Sequence, residues 1–412
     1  MAGEDFKLRQ VLVQDESTIN EYVNADGSLT WERALHVTDA SVSLVQESVP
    51  DGGATSRQAQ TRAGHKLGRT AELRITKYWA GHRTTTAGAL TETEDQQLLG
   101  DGLGGNTVSQ DGGTVASATD EDTFVTSGAT FVAGGILVVG TPSDARGQGA
   151  AGVVSTFGAG TNVQLLNKLP ATPASPDIVY AAMMAYHVEG ASLISKRFCV
   201  MHAFTGAQFV LYGCKLAGLE FSTPVGGKAT ITYIYKACYW KRVARTFPDA
   251  LAETAPECSP ITGGSWWYNA IGTTTRDAAS LLSVAEMTMR IDLGLSPVYG
   301  GSLPGEYQFI SNWTRTGFAT SVDLDIPWGT GPETFWDQEN ASATWGQLLF
   351  QNSTRDGARF GAYWPNLKRV GPRPGLPIQV NEQNYVRRSF VGDEGPDTTS
   401  DLTKSSVRLW AA

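Results

Sequence analysis

Four blocks of this 412-residue chain occur twice in the same order, and no other feature constrains the fold as much. ALHVTDASVSLV (34–45) is matched by LLSVAEMTMRID (281–292): Val37 and Val284 stand 247 apart, and Val42 and Leu44 fall on Met289 and Ile291. GRTAELRITKYW (68–79) is matched 249 residues on by GFATSVDLDIPW (317–328), and the two blocks close on Trp79 and Trp328. Gln97-Leu98-Leu99 is matched 250 on by Gln347-Leu348-Leu349, whereas GAQFVLYGCKLAGLEF (206–221) is matched only 151 on by GARFGAYWPNLKRVGP (357–372). Conserved order at near-constant spacing reads as duplication of one folding unit. The fall in spacing places an insertion of 99 residues between Leu99 and Gly206 of the first copy.

Each copy reads as a small sheet. In residues 286–293, EMTMRIDL, apolar and polar residues alternate without a break, the period of a strand with one buried face. Ala40, Val42 and Leu44 keep that phase in the first copy, and Leu73 with Ile75 and Val322 with Leu324 mark a second strand. Between the two strands each copy has a long polar stretch, 47–67 and 296–316, of the kind that serves a partner. A short helix is expected after the second strand, at 93–99 and at roughly 339–350. Phe209, Leu211 and Phe360 begin a third strand, which in the first copy turns at Pro224 into KATITYIYKACYW (228–240). The repeat-matched structural positions are Val42, Leu44, Trp79, Phe209, Tyr212, Met289, Ile291, Trp328, Phe360 and Tyr363.

The expected fold class is mainly β with short helices, built as sandwich- or barrel-forming sheets in two tandem copies. Residues 1–30 read as an N-terminal extension, 31–104 with 196–245 as the first copy, and 105–195 as an inserted small β-domain on the first copy's outer surface. A linker covers 246–277, the second copy 278–391, and a C-terminal extension 392–412.

Charge and motifs remove several functions. With 32 Lys and Arg against 41 Asp and Glu the net charge is −9, the wrong sign for a surface that grips phosphate. The start, MAGEDFKLRQ, has no apolar core of a secretion signal, and FVAGGILVV (131–139) is too short to span a bilayer, so a cytoplasmic start and no membrane partner are expected. Cys199, Cys214, Cys238 and Cys258 match no zinc or redox spacing and read as reduced, partly buried thiols. The three Asn-x-Ser/Thr sequons, at Asn312, Asn340 and Asn352, read as polar loops. GDGLGG (100–105) has the spacing of a dinucleotide loop but follows a helix, where glycine serves as a stop. Asp323 and Asp325 share a strand face, yet their counterparts are Arg74 and Thr76, which reads as a solvated face or a charge pair between copies. The five His are scattered, and no hydrolase or nucleotide motif occurs. Eleven Trp serve better as core and interface anchors than as a sugar platform. No catalytic residue, metal site or cofactor is expected.

LSVAEMTMRIDLGLSPVYGG (282–301), QQLLGDGLGGN (96–106), FTGAQFVLYGCKLAGLEFSTPVGGKATITYIYKA (204–237) and ATFVAGGILVVGTP (129–142) together give an order of blocks that resembles the tail tube proteins (major tail proteins) of long-tailed bacteriophages, in the variety with a duplicated tube fold. The resemblance covers most of residues 30–391. It implies a non-enzymatic virion protein, assembled in the host bacterial cytoplasm, whose sheets join around a ring. Three two-copy chains would make a pseudo-sixfold ring, rings would stack, and double-stranded DNA would pass through the lumen without specific binding. Other tail proteins would meet the tube ends. It assigns ring stacking to the two long stretches, through Gln46, Glu47, Arg57, Arg62 and His65 in one and Tyr299, Glu306, Tyr307, Trp313 and Arg315 in the other. A carboxylate-lined lumen would repel phosphate. Another viral shell or fibre subunit, or a β-sandwich carbohydrate-binding protein or hydrolase, are the alternatives.

Overall fold

The computed structural model describes residues 5–16, 33–49, 65–79, 94–107, 112–128, 130–140, 149–158, 162–202, 205–224, 227–243, 265–270, 284–300, 310–327, 345–352, 359–369, 378–380, 383–392 and 405–411. The chain is mainly β. It opens with β1 (Asp5–Asp15), β2 (Arg33–Ala34), β3 (Asp39–Val49), β4 (His65–Tyr78), helix α1 (Glu94–Leu103) and β5 (Gly104–Thr107). Next come β6 (Gly112–Ala118), β7 (Thr123–Ser127), β8 (Ile136–Gly140), β9 (Gly149–Phe157), β10 (Asn162–Leu165) and β11 (Ile178–Ala181). Then follow β12 (Met183–His187), β13 (Lys196–His202), β14 (Gln208–Pro224), β15 (Thr230–Ala237), β16 (Tyr239–Val243) and β17 (Ser265–Ala270). The last nine are β18 (Glu286–Asp292), β19 (Leu295–Tyr299), β20 (Ile310–Arg315), β21 (Ala319–Pro327), β22 (Trp345–Gln351), β23 (Phe360–Arg369), β24 (Ile378–Val380), β25 (Gln383–Gly392) and β26 (Arg408–Ala411).

Two sandwiches of the same design emerge from the pairings. In the first, β3, β4, β15 and the C-terminal half of β14 lie side by side, and β1, β13, the N-terminal half of β14 and β16 form the opposing sheet. In the second, β18, β21, β25 and β23 repeat the first sheet, while β17, β22, β23 and β26 repeat the other. Registers agree as well as order. Val42 faces Leu73 as Met289 faces Val322, and Tyr212 faces Tyr239 as Tyr363 faces Arg408. One long strand serves both sheets by switching between them at a bulge, the usual device at a sandwich corner. In the first unit that corner is Gly213, at φ +60, where a Cβ would sit 2.8 Å from the Cys238 Sγ.

The matched Gln-Leu-Leu blocks are not equivalent. Leu98 and Leu99 lie in α1, but Leu348 and Leu349 lie in β22, so the helix expected at 339–350 is a strand over 345–351, and 339–344 lie outside the described residues. The first-unit counterpart of β22 is β13: Phe198 faces Leu211 as Phe350 faces Ala362. Local helix propensity loses because β22 is flanked by β17 and β23 and buries Leu348, Leu349 and Phe350 completely. The glycine stop is also placed later than expected. Gly100 and Gly102 are inside α1, and Gly104, at φ +95, ends it.

Segments expected to lie outside the copies are strands of them. Residues 8–15 of the presumed N-terminal extension pair with β13, residues 265–270 of the presumed linker form β17, and residues 408–411 of the presumed C-terminal extension form β26. The insertion contains a closed six-stranded barrel, β6 to β11. Its flanks, β5 and β12, leave the small domain, pair with each other and add to the second sandwich through β12 against β26. The barrel rests on the second unit rather than the first: Ile136, Val138, Ala151 and Val153 pack with Leu349, Tyr363 and Trp410. Polar contacts fix the seat, with the Ala151 amide donating to the Gln351 side chain at 2.8 Å and the Arg408 guanidinium to the Gly134 carbonyl at 2.6 Å.

The main core runs through both units. Trp79 stacks on Phe360 of the second unit with centroids 4.4 Å apart, and it also touches Phe221. Helix α1 is held by the Lys77–Asp95 ion pair at 3.1 Å, with the Tyr233 hydroxyl donating to Asp95 at 2.7 Å. Cys199, Cys214 and Cys238 are buried and outside any disulfide among the described residues. Burial, aided by the nearby Glu16 carboxylate, pushes Cys238 up to about 12 and Cys214 well above its ordinary value. The thiolate is the reactive form. Cys214 and Cys238 are therefore expected to stay unlabelled by a disulfide reagent at pH 8 in the native chain and to label fully in denaturant; rapid native labelling at either site contradicts this packing.

Candidate assembly surface

The two sandwiches are joined edge to edge. Strand β14 of the first pairs antiparallel with β18 of the second in seven consecutive positions, from Gly218 opposite Asp292 to Pro224 opposite Glu286. The result is one uninterrupted sheet in the order β3, β4, β15, β14, β18, β21, β25. Alternation puts Val42, Leu73, Tyr233, Phe221, Met289 and Val322 into the core, and every second residue onto an open face.

The strands of that face carry Asp39, Glu72, Glu220, Glu286, Asp292, Asp323 and Asp325 against Arg74, Lys236, Arg290, Lys368 and Arg387, with Lys228 at the rim over the Tyr78 ring. Most of the cations face carboxylates. Arg74 bonds Glu72 at 3.1 Å, and Lys236 stands opposite Glu72 in the register of β4 and β15, as Arg290 does opposite Glu220. Arg387 forks onto Asp325 with two bonds of 2.8 Å, and that hydrogen bonding raises the guanidinium's already high pKa. Asp39, Glu286, Asp292 and Asp323 complete the carboxylates of the face, and Asp323 and Glu286 add to the rise in the Arg387 pKa. Lys215, opposite Lys236, is a further cation on this face, so the named carboxylates and cations are equal in number. The Asp325 partner is Arg387 of its own unit, which corrects the expected charge pair between copies.

The polar stretches are better described as extended hairpins. Pairing of β3 with β4 continues to Val49 opposite His65, and β19 pairs with β20 within 296–316. The second hairpin folds back at Gly294, φ +49, onto the first unit. Trp313 is buried there beside Cys238, accepts from Lys215 Nζ through its carbonyl at 3.1 Å, and lies under Lys236. Arg315 donates to the Gly102 carbonyl at 2.9 Å and to Val188 at 3.0 Å, placing a cation at the C-terminal end of α1. Trp313 and Arg315 are thus anchors between the units, which corrects their expected role as stacking contacts. Tyr299 is 59% exposed and Gln46 half-buried. Glu47 and His65 belong to strands, their side chains beyond what is described; Arg57, Arg62, Glu306, Tyr307 and Trp328 lie outside the described residues. Of the remaining matched positions, Val42, Trp79, Tyr212, Met289, Ile291, Phe360 and Tyr363 are buried, and Leu44 and Phe209 pack against the core half-buried.

No local sequence feature identifies the junction of β14 with β18. A signal existed in the alternation of LEFST (219–223) against EMTMRI (286–291), but which two alternating strands pair is a long-range choice. Among the described residues, no helix is long and apolar enough to cross a membrane, and no group of three or more His, Cys, Asp or Glu is placed to hold a metal ion. No protein-family model and no curated protein matches the chain.

Proposed function

We propose that the chain is a structural, ring-forming subunit of a hollow tube, in the manner of the tail tube of long-tailed bacteriophages, and that double-stranded DNA travels along the open sheet face. The observation that carries this reading is the junction of β14 with β18: two like sandwiches already joined edge to edge are two consecutive segments of a closed sheet. Closure removes the exposed edges that an open sheet leaves as templates for aggregation. A head-to-tail contact between like edges closes into a ring when its rotation permits. Three chains supply six sandwiches. The paired charges on the open face leave DNA little to grip. The barrel sits on the opposing sheet of the second unit, away from that face. Stacking of rings falls to the free parts of the two hairpins, Tyr299 among them.

Negative-stain microscopy and mass measurement of the purified protein test this. Hollow rings or tubes are expected, with a single ring of roughly 132 kDa, three chains of 44.0 kDa each. A monodisperse monomer at all concentrations overturns the assignment.

A further inference from the structure

Where the hairpin of β19 and β20 folds onto the first unit, it walls a cavity of about 450 Å³ whose floor is the open face of β3, β4 and β15. Alternation turns Ser41 and Ser43 of β3, Thr70 and Arg74 of β4, and Lys236 of β15 to this side, because Val42, Leu73 and Tyr235 between them are buried. Trp313 of β20 is the wall, held through its carbonyl by Lys215. These side chains are rich in hydrogen-bond donors and poor in partners. The Trp313 indole is 8% exposed, yet its Nε1–H has no hydrogen-bond partner, which is uncommon for a buried indole. The Lys236 ammonium lies 5.6 Å from the centre of that ring and forms no ion pair among the described residues, although Glu72 stands opposite in the register. The hydroxyls of Ser41, Ser43 and Thr70 likewise make no hydrogen bond among the described residues. Arg74 spends its Nε–H on Glu72 at 3.1 Å and stands 3.9 Å from Glu220, which leaves terminal N–H groups for a further acceptor. Glu72 is the single carboxylate of the lining, against two cations.

We infer that this cavity binds a small phosphate-type oxyanion, either inorganic phosphate or a phosphate monoester. A lining with an ammonium, a guanidinium, three hydroxyls and an indole N–H lacks acceptors, and an oxyanion supplies them. The donors converge from three strands of the floor and from the wall, so a tetrahedral ion meets more of them than a planar carboxylate does. The volume lies in the range of small-ligand sites and leaves room for an organic group on the phosphate. Trp313 belongs to the second unit and the other donors to the first, so the bound ion links the two units beside the β14 and β18 junction. The site is independent of the ring reading.

The test is calorimetric titration of the full chain with sodium phosphate and with glycerol phosphate, against sodium chloride of equal ionic strength. One saturable site per chain is expected for phosphate and none for chloride. Tighter binding of glycerol phosphate identifies a monoester site, and tighter binding of inorganic phosphate identifies a site for the free ion. Lys236→Met should weaken binding at least about ten-fold, the loss of one charge-assisted bond. Trp313→Phe keeps a ring and removes the N–H, and should weaken it roughly five-fold; Ser43→Ala, on the open face, gives the same direction if that variant fails to fold. Phosphate should also raise the unfolding temperature of the unaltered chain more than that of Lys236→Met, since general salt exclusion acts alike on both. Absence of saturable binding, or equal affinity in Lys236→Met, overturns the inference and leaves the ring reading intact. Displacement of bound phosphate by duplex DNA also overturns it, because the cavity then takes backbone phosphate, and it ends the passage reading as well.

Discussion

Gly361→Ala is expected to lower the stability of the chain by at least ~3 kcal/mol, read as a fall in the urea midpoint and in soluble yield. A Cβ at this position would lie 1.9 Å from the Phe350 carbonyl oxygen and 2.6 Å from the Trp410 ring. Backbone on one side and a fully buried indole on the other cannot both move away. The first unit shows the alternative solution at the same register. Val210 stands there opposite Lys241, where Gly361 stands opposite Trp410, so the second unit exchanges a strand side chain for an indole laid over bare backbone. Trp410 is also the residue that seats the barrel, hence damage at Gly361 reaches the inserted domain. Gly158→Ala, where nothing lies within 4 Å of the added carbon, is the control and should change stability by less than ~0.5 kcal/mol. Equal stabilities for the two variants would refute this packing.

On the proposed reading, replacing carboxylates of the open face by lysine should turn it into a DNA-binding surface. Glu286→Lys, Asp292→Lys and Asp323→Lys together place new cations beside Arg290 and Arg387 on strands whose buried residues are untouched. Folding should survive, because these positions are exposed or half-buried. Assembled variant is expected to retain duplex DNA at low salt and to lose roughly 10³-fold in affinity between about 50 and 200 mM salt, the signature of phosphate contacts. The unaltered assembly should show no measurable retention in a filter or gel assay under the same conditions. Tight, salt-sensitive DNA binding by the unaltered protein would show that the open face grips phosphate and would end the passage reading.

The residues that were legible in the sequence share one property: their structure is set by neighbours along the chain. Strict alternation in EMTMRIDL and TAELRITK needs only one buried face to become a strand, and both segments are strands with Met289 and Leu73 inside. The inserted region's short apolar runs likewise became barrel strands. Illegible were the choices made by distant hydrogen-bond partners. Gln-Leu-Leu is helix at 97–99 and strand at 347–349 because β17 and β23 flank only the second. Residues 8–15 and 408–411 look like unattached ends until β13 and β23 are placed beside them. Trp313 and Arg315 look like loop residues until Cys238 and the end of α1 lie beneath them. Two copies of a strand pattern were determined by the sequence alone; that the copies share one sheet, and which face of it stays open, was decided by the pairing of β14 with β18. Alternation says that a strand has two unlike faces, but backbone hydrogen bonds are alike at every residue, so only the packed tertiary structure selects which strands meet.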